Sequence, residues 1–483
     1  MSKRKPRVPK DEPGAAQKLR TADLFRADMA RFHSAIRPGD IDGSPAVRFF
    51  FHFFNEHRGR HRMRVLYCPP LPLLWSFLPS DGSPASDVHK AYLHALWRER
   101  RLPARILLLA SFAAWPFIVL GTTVWFSWLN GPTIARRTGK SLLRQAAEQL
   151  WVAGAYAILP PWYYMFELFD DDKRALAADY LRRDETKGGI YRLIKRPVRG
   201  IPRGQLSDKT LFATRCRAHG VTIPPELLAS QGVLRSPDGS PVSIPQADLF
   251  VKPSRGRGGS GMERWSFADG RWILEGSSRV CGEAELREHL AKSSLGGDLL
   301  VQPRLVNHPA LSDLANGVLS TVRLVTCRDE RDGYEPTHAI LRMARGTEAT
   351  VDNYHAGGIA ASVDIATGVL AAATDMGANA ATGWCPTHPD TGARIEGRTL
   401  PFWSETLALA RHAHAAFPFC TVIGWDIAIT ADGPVVIEGN GSPDVDIMQR
   451  PFRAPLGNAR FGELLAFHLK HSALDPRRRG PRT

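Results

Sequence analysis

Cysteine is scarce in this 483-residue chain, and none of the six (Cys68, Cys216, Cys281, Cys327, Cys385, Cys420) stands in a CxxC spacing. That excludes a zinc knuckle and a disulfide framework, and predicts reduced, mostly buried thiols in a reducing compartment. The first thirty residues lack an apolar run of signal-peptide type. They open on Lys3, Arg4, Lys5, Arg7 and Lys10 and read as a disordered, cytoplasmic start. No internal repeat, P-loop or nucleic-acid-binding motif is present. Acidic residues are short as well: 48 Asp and Glu face 63 Lys and Arg, a net charge of +15. This excess favours an anionic partner, whether nucleic acid, lipid or phosphorylated metabolite, and composition does not choose among them. The 43% hydrophobic content is enough for a buried core, and the length suits two to four structural units.

Residues 1–103 alternate basic and aromatic clusters. Phe49-Phe50-Phe51-His52-Phe53-Phe54 runs into the basic stretch ending at Arg62. Such a segment stacks on single-stranded nucleic acid, sits at a membrane interface, or forms a helix with a buried aromatic face. From Ile106 to Leu129 no residue is charged. As a helix this run is about 36 Å long, against a hydrocarbon core of about 30 Å. Trp115, Trp125 and Trp128 suit an interfacial belt, and arginines flank both ends. A second apolar run, Leu150 to Phe166, is broken by Pro160-Pro161 and reads as a second span, a re-entrant segment or a surface helix. Burial of both runs in a helical soluble core is the competing reading. The expected organisation is a basic, partly disordered region over 1–103, an apolar membrane-associated segment of one or two helices over 104–170, a linker helix over 171–200, a further domain over 201–475 and a basic tail over 476–483.

Beyond the Pro/Gly-rich stretch at residues 197–202, strand-like runs alternate with helical ones, an α+β pattern. Leu299–Gln302, Thr321–Thr326, Ala339–Met343 and Val422–Ile429 read as strands, and Asp269-Gly270, Thr367-Gly368 and Asp432-Gly433 as the turns between strands.

Two constellations carry chemistry. Phe250-Val251-Lys252 leads into a loop with four glycines in six residues, Gly256 to Gly261. Glycines let backbone N–H groups approach phosphate oxygens, and Lys252 would add a point charge. The order is not that of a P-loop, and the loop reads equally as a nucleotide lid or a structural turn. Near the C-terminus, Asp426 lies on one strand, and Glu438 and Asn440 on the strand returning after Asp432-Gly433. Two carboxylates and an amide oxygen on one face form a hard-oxygen set suited to Mg²⁺. A surface ladder or turn-capping role is the alternative.

Lys-Pro with a glycine lid, followed by Asp…Glu-x-Asn, resembles the ATP-grasp superfamily. So do Asp208-Lys209 and Gly220-Val221-Thr222-Ile223-Pro224 upstream. Val301-Gln302-Pro303, Asn307-His308-Pro309, Ser320 to Thr326, His388-Pro389-Asp390 and Gly424-Trp425-Asp426 are similar to the sugar-transfer-associated ATP-grasp family, over about residues 185–475. The resemblance implies an ATP-grasp fold with mostly antiparallel sheets and a glycine-rich lid subdomain over about 248–305, preceded by a helical, apolar region. It implies that Lys209 and Lys252 contact ATP phosphates, that Gly258, Gly259 and Gly261 form the lid, and that Gln302 with the backbone of 303–305 binds adenine. Asp426, Glu438 and Asn440 match magnesium ligands. Arg323 and Arg342 are the candidates for stabilising the transferred phosphoryl group; an ion pair with an adjacent strand is the other reading of Arg323. Many ATP-grasp ligases carry an arginine just before the first metal carboxylate, where this chain has Trp425.

The expected activity is ATP- and Mg²⁺-dependent activation of a carboxylate as an acyl phosphate, captured by an amine or a sugar-linked acceptor in cell-envelope polysaccharide synthesis. It would act on the cytoplasmic side of the inner membrane or free in the cytoplasm, with no nucleic-acid partner. A nucleotide-binding, non-catalytic scaffold of a membrane-bound glycan assembly system is the alternative.

Overall fold

The computed structural model describes residues 81–99, 102–196, 198, 204–237, 239, 242–254, 262–315, 317–346, 354, 357–377, 380 and 383–474. The Phe49–Arg62 cluster, Cys68, the glycine loop and the basic tail lie outside the described residues. Residues 65–483 cluster as one compact unit.

Two seven-stranded sheets dominate, and every pair of neighbouring strands in them is antiparallel. The first contains β1 (Leu227–Ser230), β2 (Val233–Arg235), β3 (Leu249–Pro253), β4 (Glu263–Ala268), β5 (Arg271–Leu274), β6 (Val280–Cys281) and β7 (Leu299–Pro303), in the order β2-β1-β7-β3-β4-β5-β6. Asp269 and Gly270 both have positive φ, 50° and 74°, which the tight β4–β5 hairpin requires and which Asp-Gly supplies. The helix Glu283–Ser294 buries Leu286 and Leu290 against Trp265, Trp272 and Val251 of this sheet.

The second sheet contains β8 (Thr321–Arg328), β9 (Tyr334–Met343), β10 (Ile359–Val363), β11 (Leu370–Thr374), β12 (Trp384–Cys385), β13 (Val422–Thr430) and β14 (Gly433–Asn440), in the order β12-β11-β10-β9-β8-β13-β14. β8 is buried along its whole length because helices cover both faces of the sheet. Val322 and Leu324 join Ile423, Trp425 and Ile427 under the helix Trp403–Ala416. Val325 and Cys327 join Val422 under Phe461, Leu464 and Leu465 of the C-terminal helix Arg460–Leu474. The strand pleat thus sends alternate residues into two separate cores.

The N-terminal helices are α1 (Pro84–Glu99), α2 (Leu102–Thr138), α3 (Leu142–Tyr156) and α4 (Pro160–Met165). No helix among the described residues is long and apolar enough to cross a membrane. This corrects the expected span over Ile106–Leu129. α2 buries one face, Trp115, Val119, Thr123, Phe126, Asn130 and Ile134, and two members of it are polar. Asn130 Oδ1 accepts from the Ala380 N–H at 2.9 Å, and Arg137 donates to the Ala380 carbonyl at 2.8 Å, tying α2 to the segment between β11 and β12. The region 171–200 is a succession of helical turns, Asp171–Ala175, Ala177–Asp179, Arg183–Glu185, Thr186–Ile190 and Tyr191–Leu193, in place of one linker helix.

Glu167 is a junction between these helices and the second sheet. It accepts from Trp384 Nε1 at 2.8 Å and from Arg453 at 3.1 Å, and lies 3.5 Å from an Arg450 nitrogen. Burial would raise its pKa, but Arg450, Lys173 and Trp384 outweigh that and hold it at about 2.

Candidate active site

Lys252 occupies β3 and is nearly buried. Burial pushes its ammonium down, the Lys209 charge adds to this, and Glu438 and Glu226 oppose it, leaving a pKa of about 8. Lys209 opens the helix α5 (Lys209–Ala218), which Asp208 caps by accepting from the N–H groups of Thr210 and Leu211 at 3.1 and 3.2 Å. Lys209 Nζ donates to the Pro253 carbonyl at 3.0 Å, which draws it to the end of β3. Its pKa also falls, through burial, with Glu438 acting in the opposite sense. Two ammonium groups and one carboxylate that act on each other this way share one region, since Coulomb coupling fades with distance. The sequence placed them 43 and 186 residues apart.

The carboxylates come from β13 and β14. Asp426 stands opposite Glu438, Gly424 opposite Asn440, and the register slips between Asp426 and Ile427. Asp426 is buried and held by two guanidiniums. Arg323, directly opposite on β8, donates through Nε to one carboxylate oxygen and through an Nη to the other at 2.9 Å; Arg342 on β9 reaches Asp426 at 3.1 Å. Burial would raise the pKa of Asp426, but Arg323 and Arg342 more than offset it and keep it below the usual carboxylate range. Glu438 opens to solvent. The protein around its carboxyl and the neighbouring Asp426 charge raise its pKa, against Arg323, Lys252 and Arg342. Asn440 Oδ1 accepts from the Ser442 N–H at 2.9 Å, bending the chain away from β14.

Trp425 is fully buried on the opposite face of β13, its Nε1 donating to Thr326 Oγ1 at 2.8 Å. A residue at 425 faces the core under the helix Trp403–Ala416, and Arg323 supplies the guanidinium to Asp426 from across the ladder. Gly424 permits this packing, because a Cβ there would lie 2.9 Å from the Pro443 Cβ and 3.4 Å from the Arg323 Cδ. Gln302, buried on β7, donates to Glu226 at 3.1 Å. Gly258, Gly259 and Gly261 lie outside the described residues. His308 caps the turn at Pro309–Leu314, accepting from the Ala310 N–H at 3.1 Å.

Among the described residues no three or more His, Cys, Asp or Glu side chains cluster as a metal site. The candidate set has only two carboxylates, with an amide as third donor. Its hard oxygens and the ionised Asp426 suit Mg²⁺, while both Asp426 oxygens are engaged by Arg323 and Arg342.

Sequence reasoning missed two groups. Glu226 is a lone acid after Pro224-Pro225 that binds Gln302 and Arg217 and acts on Lys252. Asp444 lies just past Asn440 and accepts from Lys187 at 3.0 Å and sits 2.7 Å from Arg183 Nε. The distinguishing cue was an acid in an otherwise apolar or turn segment, with its partner too far along the chain to be seen.

A family model described as sugar-transfer associated ATP-grasp matches residues 200–459. The chain belongs to the sugar-transfer-associated ATP-grasp family. Every described site residue named above from Lys209 to Asn440 falls within that match. Among solved structures, this ATP-grasp chain is similar to the D-cycloserine synthetase DcsG, with TM-score 0.31 and 15% identity over 55% of this chain and 71% of that one. It is similar to D-alanyl-alanine synthetase A from Vibrio cholerae, with TM-score 0.32 and 11% identity over 56% and 66% of the two chains. For D-alanine–D-alanine ligase from Bacillus anthracis the TM-score is 0.31 and the identity 13%, over 57% and 70%. No match was found among curated proteins. At such TM-scores the ATP-grasp assignment rests on the family match.

Proposed function

We propose that this ATP-grasp chain uses ATP to activate a carboxylate and passes it to an amine or sugar-linked acceptor, forming an amide or ester. The observation that carries the reading is that Lys209 bonds the end of β3 beside Lys252, while Leu206, three residues before it, packs on Gly439 next to Glu438, which stands opposite Asp426. Lys209 and Lys252 hold the triphosphate by charge. Asp426, Glu438 and Asn440 would hold Mg²⁺, whose charge would screen the phosphate oxygens. Gln302 and its neighbours on β7 hold the adenine. A substrate carboxylate oxygen then attacks the γ-phosphorus, and the bond to the β–γ bridging oxygen breaks to release ADP. The acceptor attacks the acyl carbon of the resulting acyl phosphate, loses its proton, and inorganic phosphate leaves. Arg323 and Arg342 are placed to meet the charge on the transferred phosphoryl group. The family's association with sugar transfer supports an acceptor in cell-envelope polysaccharide synthesis. ATP supply puts the reaction on the cytoplasmic side, at the inner membrane or free in the cytoplasm.

ADP and phosphate release by the full chain, measured with pools of candidate carboxylates and amines, tests this. Turnover that needs both pools supports it. Near-normal turnover in Lys252→Ala or Glu438→Ala sinks it. One observation favours a second reading, a nucleotide-binding scaffold of a glycan assembly system: both Asp426 oxygens are engaged by arginine. ATP binding without release of ADP under every pool would select that reading.

A further inference from the structure

The helices α2 and α3 leave an apolar surface open. From Ile106 to Ala135 the sequence has no charged residue, yet among the described residues only one face of α2 is buried. Leu109, Phe117, Leu120, Val124 and Trp128, spaced at three, four and eight residues, face outward, with Phe117 77%, Val124 64% and Trp128 67% exposed. On α3, Leu143 (84% exposed), Leu150 and Trp151 continue the surface. Leaving so many large apolar groups in water is unfavourable, and a contiguous patch of this kind marks an interaction site.

Charge identifies the occupant. In the chain, Arg100, Arg101 and Arg105 precede the charge-free run. Arg136 and Arg137 follow it, both exposed. Beside Trp151, a shallow depression is lined by Arg144, Ala147, Glu148 and Arg174. At this end Glu148 and Asp171 pair with Lys140, Arg144 and Arg174, and Asp170 and Asp172 are exposed beside them, so the cations that bear on the occupant are Arg136 and Arg137. The exposed Trp128 and Trp151 on an apolar surface, with the exposed Arg136 and Arg137 following the charge-free run, match the acyl boundary and phosphates of a lipid leaflet.

We propose that the outward faces of α2 and α3 rest in the headgroup region of an anionic membrane, parallel to its plane. Because the opposite face of α2 is packed on protein, the helix lies on the bilayer and does not pass through it. This inference is independent of the ligase reading.

Co-sedimentation of the full chain with sucrose-loaded vesicles tests it, comparing phosphatidylcholine alone with a phosphatidylcholine–phosphatidylglycerol mixture. Binding is expected to the anionic vesicles and to weaken at least tenfold in Phe117→Glu/Trp128→Glu. Phe117→Ala/Trp128→Ala, checked for an unchanged melting temperature, guards against misfolding and is expected to weaken binding in the same direction. Absence of vesicle binding overturns the proposal. So does binding that both double variants retain, since the basic residues alone would then explain it. A concentration-dependent dimer lost in the variants, without vesicle binding, would assign the face to a second copy and overturn it as well.

Discussion

Arg323 and Asp426 face each other across the β8–β13 ladder, and one guanidinium grips both oxygens of one carboxylate. The pair is buried, so each charge depends on the other for compensation. Of the two readings of Arg323, the structure shows the ion pair.

Removing one partner leaves the other buried and uncompensated. Asp426→Ala is expected to lower stability by about 3–5 kcal/mol, read from denaturant midpoints at constant m-value. Asp426→Asn, which keeps a hydrogen-bond acceptor, should lose less. A loss below about 1 kcal/mol, the range of an exposed pair, would show that the pair contributes nothing as a buried unit.

With Lys252 on the phosphates as proposed, its pKa of about 8 predicts a nucleotide affinity that depends on pH. Its folded pKa lies below the ordinary lysine value, so the ammonium is intact below about 8 and is lost as pH rises through it. ATP affinity is expected to weaken by up to about tenfold between pH 7 and 9.5, as one phosphate-facing charge disappears. Calorimetric titration in Lys252→Ala should give a weak, flatter profile. A wild-type profile that stays level to pH 9.5 would refute the assignment.

Trp425 points into the core beneath the helix Trp403–Ala416. Trp425→Arg is therefore expected to destabilise by more than about 4 kcal/mol, through a buried unpaired charge. Soluble, folded Trp425→Arg protein with unchanged thermal melting would contradict the placement.

Asp446 is buried, accepts from Trp162 Nε1 at 3.0 Å, and has its pKa raised to about 7 by burial and by Asp444. An acid with a raised folded pKa binds more protons folded than unfolded between the ordinary value near 4 and 7, so its contribution to stability falls as pH rises through that window. Asp446→Asn removes the ionisation and can keep the acceptor. It should raise the melting temperature relative to wild type at pH 8 and change it little at pH 4. An equal shift at both pH values would argue against ionisation as the cause.

Much of the catalytic half was legible in the sequence. Alternation in Val422–Ile429 and the Asp432-Gly433 turn carry the β13–β14 hairpin, and with it the opposition of Asp426 and Glu438. What local pattern does not carry is long-range pairing: Arg323 meets Asp426 from 103 residues away, and Glu226 meets Gln302 from 76. The 171–200 stretch has helix-forming composition, yet tertiary pairing divides it. His89 Nδ1 meets Glu185 at 2.6 Å, and the Leu181 N–H donates to Gln449 at 3.0 Å, fixing turns that propensity would have joined. α2 misled for another reason. Its inner face is largely apolar and its outer face is apolar too, so the period that separates them is nearly erased; only Thr123 and Asn130 mark the protein side.

Glu167 has a practical consequence for dissecting the chain. Cutting near the Pro/Gly-rich stretch around residue 200 would remove Glu167 and Trp162 together, stripping Arg450, Trp384 and Asp446 of partners they use in the intact protein. A recombinant fragment trimmed to the family's boundaries would therefore expose a raw, charged flank. The helices ahead of it are better regarded as part of the minimal expressible unit than as a detachable leader.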